Sequence, residues 1–247
     1  MKDSRQKIVV VLGPTAAGKS DLAVKLAKSF DGEIISADSR QIYKGMDIAS
    51  NKITNTEMKS IPHYLLDIVN PDQDYSLYNW QQDTFTKIEE ILAKEKTPII
   101  AGGTGLYICS VIQNYDIDPK EPSLRECPYD FIVLGIDPDR EKLYTKINKR
   151  VDRMIDDGSI DEVKNIYKKY PNKKLVALTG IGYKQIIEYI DEQISLEEAI
   201  EKIKQSTRNY AKRQMTWFRR MEKQGIKIYW NKNSQEIKKL LKDFLQK

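Results

Sequence analysis

The chain has one histidine, His63, and two cysteines, Cys109 and Cys127, among 247 residues. These three side chains cannot build an ordinary four-ligand zinc site, and so small a thiol count suits a reducing compartment, with both cysteines structural. No stretch approaches eighteen consecutive apolar residues, which argues against a membrane-spanning helix and leaves no membrane among the expected partners. The opening "MKDSRQKIVVVLG" lacks a signal-peptide pattern, so the expected location is cytoplasmic. A strong charge imbalance is missing too. Forty-one basic residues against 36 acidic ones leave +5, and the distribution of charge carries more than this sum. Repeats and low-complexity tracts are absent, while 40% hydrophobic content is enough for a packed core.

What is present begins at "GPTAAGKS", Gly13, Pro14, Thr15, Ala16, Ala17, Gly18, Lys19 and Ser20. It follows the apolar run "KIVVVL" and precedes a segment in which Leu22, Leu26 and Phe30 recur every four residues. Strand, glycine loop and helix in that order fit the G-x-x-x-x-G-K-[ST] phosphate loop. Backbone N–H groups and a helix N-terminus cradle a diphosphate there, while Lys19 and the Ser20 hydroxyl serve phosphate and Mg²⁺. The loop alone leaves ATP, GTP or another diphosphate ester open as the ligand.

Strand-like runs at 7–13, 33–38, 98–102, 129–137 and 226–231 alternate with helical stretches, which predicts an α/β fold with a parallel sheet flanked by helices. The chain reads as one domain over 1–247. Its one linker-like segment is "QNYDIDPKEPSLRECP", residues 113–128, with Pro119, Pro122 and Pro128. In "DPDREKLYTKINKRVDRMIDDG", Asp137 is placed to cap a helix, Pro138 suits its first turn, and Gly158 ends it. Ser159 with Glu162, and Ser195 with Glu198, have capping-box spacing for the next helix and for the last long one. On that last helix Leu196, Ile200, Ile203, Tyr210, Trp217 and Met221 form the expected apolar stripe.

Three features stand out as sites. Asp38 ends the second strand, where ligands sit in open α/β sheets; it is placed to hold Mg²⁺ through water, to act as a base, or to cap a helix. "AGGTG" at 101–105 closes the next strand with glycines that permit close backbone approach, or simply a tight turn, and Thr104 offers a hydroxyl over the same edge. From Lys202 to Arg220 there are seven basic residues and no acidic one. Lys204, Arg208 and Lys212 stand four apart with Arg213 beside them, a stripe suited to a nucleic-acid backbone or a diphosphate if it is more than a solvated face. His63, between a proline and an apolar run, reads as structural.

Taken together, "GPTAAGKS", "SADSRQIYKGMDI", "PHYLLDIVNPDQDYS", "AGGTGLYI", "REKLYTKINKRVDRMIDDG", "LTGIGYKQI" and "TRNYAKRQMTWFR" closely resemble the tRNA dimethylallyltransferase family. Those enzymes prenylate the adenosine 3′ of the anticodon. The resemblance implies a phosphate-loop fold whose loop holds dimethylallyl diphosphate rather than ATP, Mg²⁺ bound at Ser20, and the tRNA anticodon stem-loop as partner of a monomer. It implies that Asp38 is the base for adenine N6 and that Thr104 touches the bridging oxygen of the leaving diphosphate. Arg213, with Arg208 as a second cation, would spread the developing charge. Ser39, Arg40 and Gln41 would line the tRNA site beside Asp38, with Arg208 and Lys212 on the tRNA backbone.

Two departures from the family pattern are visible. Members of usual length carry a helical, arginine-rich insertion where this chain has only the 113–128 connection, so the expected form is one with that segment truncated. Ala49 and Ser50 stand where glycine and threonine are more common, while Lys52 is kept.

Overall fold

The computed structural model describes residues 5–115, 117, 126–172 and 174–246; within the 113–128 connection, residue 116 and residues 118–125 lie outside this set. Among the described residues six strands form one parallel sheet. They are β1 (Gln6–Leu12), β2 (Gly32–Ala37), β3 (His63–Tyr64), β4 (Thr97–Gly102), β5 (Tyr129–Gly135) and β6 (Ile228–Trp230), in the spatial order β3-β2-β4-β1-β5-β6. β1 lies between β4 and β5, with Val9 to Leu12 beside Ile99 to Gly102 and Gln6 to Leu12 beside Tyr129 to Gly135. Its run Ile8 to Leu12 is buried, as a central parallel strand must be when helices cover both faces.

Nine α-helices accompany the sheet among the described residues: α1 (Lys19–Ser29), α2 (Asn55–Met58), α3 (Leu77–Leu92), α4 (Gly105–Ile112), α5 (Arg140–Asp156), α6 (Ser159–Lys169), α7 (Tyr183–Ile190), α8 (Leu196–Lys223) and α9 (Ser234–Leu245). On one face Ile8, Val10, Ile35 and Ile100 pack with Trp80 of α3, Ile108 of α4 and Phe218 of α8. On the other, Val9, Val11 and Ile99 meet Val24 of α1 and Leu241 of α9. A third core, built from Val151, Val163, Ile186, Ile203 and the segment Ile42 to Ala49, lies among α5, α6, α7 and α8. Trp80 is fully buried, stacks on Tyr107 at 4.4 Å between centroids, and donates its indole N–H to the Ser36 carbonyl at 3.1 Å. Truncating it to alanine would cost about 3–5 kcal/mol.

The sequence reading needs correction at two helix starts, those of α5 and α6. Asp139, not Asp137, caps α5 by accepting from Lys142 N–H at 3.0 Å. Asp137 is engaged elsewhere, its Oδ2 held by Arg219 at 2.5 Å and its backbone by Asn231. The Ser159–Glu162 box does not form: Gly158, in the left-handed region at φ 97°, is itself the cap, and the Glu162 N–H bonds to the Gly158 carbonyl at 3.1 Å. Ser159 thereby falls inside the helix, its hydroxyl buried without a hydrogen-bond partner. At α8, Ser195 does accept the Glu198 N–H at 3.2 Å. The buried stripe of α8 is Ala199, Ile203, Ala211, Gln214, Phe218 and Met221, whereas Tyr210 and Trp217 are only partly covered.

Glu162 does something the capping pattern did not suggest. Its carboxylate accepts the consecutive N–H groups of Asp47 (2.9 Å), Ile48 (2.7 Å) and Ala49 (3.0 Å) and the Tyr183 hydroxyl (2.7 Å). Lys52 completes this loop, its ammonium buried against the Tyr43 carbonyl and the carboxylates of Asp47 and Asp67. Ala49 is accommodated in the third core, and the Ser50 hydroxyl closes on the Met46 carbonyl at 2.6 Å.

Candidate active site

The carboxyl ends of β1, β2 and β4 face a cleft, at the point where the sheet order reverses around β1. Gly18, at φ 93°, turns the chain into α1, and Ala16 is also in the left-handed region at φ 61°, an alternation of the kind found in anion-binding nests. The cleft has two chambers. One, of about 630 Å³, lies over the phosphate loop and includes Ala16, Gly18, Lys19 and Ser20 in its wall. The other, of about 330 Å³, runs between the β2 end and the α5–α8 layer, with Ala49, Val151, Ile181 and Ile203 as apolar wall and Ser39, Arg40 and Arg213 as polar wall. Thr15, Asp38, Arg150 and Tyr210 belong to both chambers, so Asp38 stands at their common wall.

Lys19 donates to the Pro14 carbonyl at 2.8 Å. Burial lowers its pKa to about 8; Asp38 opposes this and Arg150 adds to it. Arg150 projects from α5, donating from Nη1 to the Thr15 hydroxyl at 3.2 Å and from Nε to the Asn51 side-chain oxygen. Burial lowers its pKa to about 10 against the pull of Asp38 and Glu57, so it is charged at neutral pH. Asp38 accepts the Arg40 N–H at 2.9 Å in a local turn. Tyr210 is pushed up to about 12, by burial first and then by Asp38, with a hydrogen bond to Thr104 working the other way.

The structure gathers most of the residues singled out in the sequence but not all. Asp38, Ser39, Arg40, Gln41, Thr15, Ala16, Gly18, Lys19, Ser20 and Arg213 line one or both chambers. Gly13, Pro14 and Ala17 are not wall residues; Pro14 serves as the acceptor for Lys19. The Thr15 N–H, expected to face phosphate, is bound by Gln214 at 2.8 Å. Thr104 is not a wall residue of either chamber; its Oγ1 accepts the Ser39 N–H at 3.1 Å and its hydroxyl donates to Ser39 Oγ at 3.5 Å. Lys204 pairs with the carboxylates of Asp152 and Glu201, whereas Arg208 donates to the neutral amides of Asn148 and Gln205 and keeps its charge uncompensated. Lys212 is exposed outside both chambers. His63 is structural in form, its Nδ1 at 2.8 Å from the Ile61 carbonyl and its pKa lowered by burial, although it borders the larger chamber.

Arg150, Tyr210 and Gln214 are the site residues that sequence reasoning missed. Arg150 sits one position before Val151 on the stripe of α5, where a cation between apolar residues could have been weighed as an inward-facing charge.

A parallel sheet with a glycine loop at its reversal point and a two-chambered cleft above it places the protein in the phosphate-loop α/β class. Comparison with known proteins gives the family. A family model described as IPP transferase matches residues 41–127 and 119–221. The tRNA dimethylallyltransferase of Thermoanaerobacter sp. (strain X514) is 40% identical over 308 aligned residues, covering 97% of each chain. That of Streptococcus agalactiae serotype III (strain NEM316) is 37% identical over 291, covering 97% of this chain and 98% of the relative. The crystal structure of the full-length tRNA isopentenylpyrophosphate transferase from Bacillus halodurans superposes with a TM-score of 0.89 at 31% identity, over 98% of this chain and 97% of that one. The chain belongs to the IPP transferase family.

Proposed function

We propose that this protein transfers the dimethylallyl group of dimethylallyl diphosphate to N6 of the adenosine 3′ of the anticodon in tRNA. Supporting the reading, beside the names of the relatives, is one geometric observation: Asp38 stands where a phosphate-loop chamber meets a second, partly apolar chamber. A donor diphosphate on the loop and an adenine in the smaller chamber would meet at that carboxylate.

The N6 lone pair is delocalised into the ring and attacks poorly unaided. As the N6–C1 bond forms, the C1–O bond to the diphosphate breaks, the diphosphate leaves with the bonding electrons, and N6 loses one proton to Asp38. General-base help of this kind is worth roughly 10²–10⁴ in rate. Lys19, Arg150 and the loop N–H groups would meet the charge that accumulates on the leaving group, with Arg213, a wall residue of the smaller chamber, as a further cation. Thr104 accepts the Ser39 N–H beside Asp38, which leaves its own O–H, held only at 3.5 Å by Ser39 Oγ, free to donate to the bridging oxygen of the leaving diphosphate.

Among the described residues no group of three His, Cys, Asp or Glu side chains is placed to hold a metal. Ser20, which lines the larger chamber, would hold Mg²⁺ through its hydroxyl beside the diphosphate, and the ion would supply charge neutralisation. We take the enzyme to be a cytoplasmic monomer; no helix among the described residues is long and apolar enough to cross a membrane. We take residues 1–247 as one catalytic domain with a shortened 113–128 connection. Alignments of 291 and 308 positions against 247 residues, and a family match in two pieces meeting at 119–127, support this.

That shortened connection favours a second reading, in which the acceptor is a free adenine nucleotide. Incubation with labelled dimethylallyl diphosphate and unmodified tRNA, AMP or ATP decides. Label in tRNA is expected. Label only in the mononucleotide would replace the first reading by the second, and phosphoryl transfer or hydrolysis of ATP without allyl transfer would overturn both.

A further inference from the structure

Gln214 is 5% exposed, on the inward face of α8, and both ends of its amide are used. Oε1 accepts the Thr15 N–H at 2.8 Å, and Nε2 donates to the Gly103 carbonyl at 2.9 Å. The first partner is the third residue of the glycine loop. The second precedes Thr104 in the turn from β4 to α4. A methyl group added at Gly103 would lie 2.2 Å from Nε2, so this turn holds the amide only because residue 103 has no side chain.

One side chain thus ties the cradle of the donor to the turn whose threonine holds Ser39 next to Asp38. We propose that Gln214 is a positioning residue for allyl transfer, setting the spacing between the diphosphate cradle and the Asp38–Ser39–Thr104 side of the cleft. This inference rests on the prenyl-transfer reading above. The position needs a donor and an acceptor at the two branches of one terminal group. Glutamine supplies both while neutral. Methionine fills the same volume but leaves a buried N–H and a buried carbonyl unpaired. An ionised glutamate would keep the Thr15 bond and set an anion against the Gly103 carbonyl, whereas a protonated glutamate restores donor and acceptor together.

The space-filling alternative predicts that shape alone matters, and the two can be separated. Gln214→Met is expected to lower kcat by roughly 10- to 100-fold, the cost of a small misalignment between groups that must act in concert, with donor Kd little changed. Gln214→Glu is expected to be impaired at about pH 8.5 and to recover relative to wild type as the pH falls toward about 6, because a buried carboxyl facing a carbonyl takes up its proton early. Single-turnover labelling of tRNA and donor titration across that range read both. A wild-type chain that transfers no allyl group overturns the functional reading and this inference together. A wild-type chain that transfers it, alongside Gln214→Met of equal kcat, overturns this inference alone. Should Gln214→Met fail to fold, the glutamate variant decides, since a pH-independent ratio to wild type excludes the positioning role.

Discussion

Arg150 and Thr15 meet across the larger chamber, Nη1 of the guanidinium donating to the threonine hydroxyl at 3.2 Å from 135 residues away in sequence. The same guanidinium holds Asn51, so one cation fixes both the phosphate loop and the loop that follows β2. Arg150→Ala is expected to weaken donor binding by roughly 10- to 100-fold, the worth of a hydrogen-bonded charge at an anion site. Arg150→Lys recovers only part, because an ammonium cannot serve two loops with a planar fork. Titration with dimethylallyl diphosphate checks both, and unchanged affinity in the alanine variant would remove Arg150 from the donor site.

Asp38 acts on the acceptor in the proposed chemistry. Asp38→Asn should therefore lower turnover by about 10²–10⁴ while donor affinity at neutral pH changes little. Rapid-quench turnover together with equilibrium donor binding reads the two effects separately.

Lys19 gives a pH signature with a definite sign. In the free protein its pKa lies near 8, lowered by burial, whereas a bound diphosphate favours the ammonium and raises it. Below about pH 8 the lysine is charged in both states and affinity is flat. Above it the protein must take up a proton to bind, so the donor Kd rises by up to about tenfold per pH unit. Lys19→Met should bind weakly and lose this slope.

Glu162 is a matter of stability rather than chemistry. Removing its carboxylate leaves the N–H groups of Asp47, Ile48 and Ala49 and the Tyr183 hydroxyl without their acceptor. Glu162→Ala should cost about 2–4 kcal/mol in urea unfolding. Glu162→Gln, which retains one oxygen, should cost less.

Of the basic stripe on α8, Lys212 is exposed while Arg208 is bound to Asn148 and Gln205. Lys212→Ala is expected to reduce the salt dependence of tRNA binding by roughly one unit of slope, and Arg208→Ala by less. Equal slopes for both variants and wild type would assign the stripe to solvation.

The glycine loop, the strand ending at Asp38 and the "GGTG" turn were legible because each is a local pattern in which spacing dictates backbone geometry. β3 was not, because two residues, His63 and Tyr64, carry no periodicity and form a strand only by lying beside Ile34 and Ile35. The start of α5 went to Asp139 because Asp137 was claimed by Arg219 and Asn231, 82 and 94 residues distant. Arg150, Glu162 and Gln214 escaped for one shared reason. A polar side chain on a helix reads as solvated from sequence, and only the partner it meets across the fold reveals that it points inward.

The Thr15–Gln214 contact spans 199 positions, nearly the whole chain. During synthesis the glycine loop leaves the ribosome long before α8, and domains generally fold as units. The Thr15 tie of the cradle stays unmade until α8 has emerged. A polypeptide ending before α8 would carry the loop, the strands through β5 and Asp38 yet lack the amide that holds Thr15.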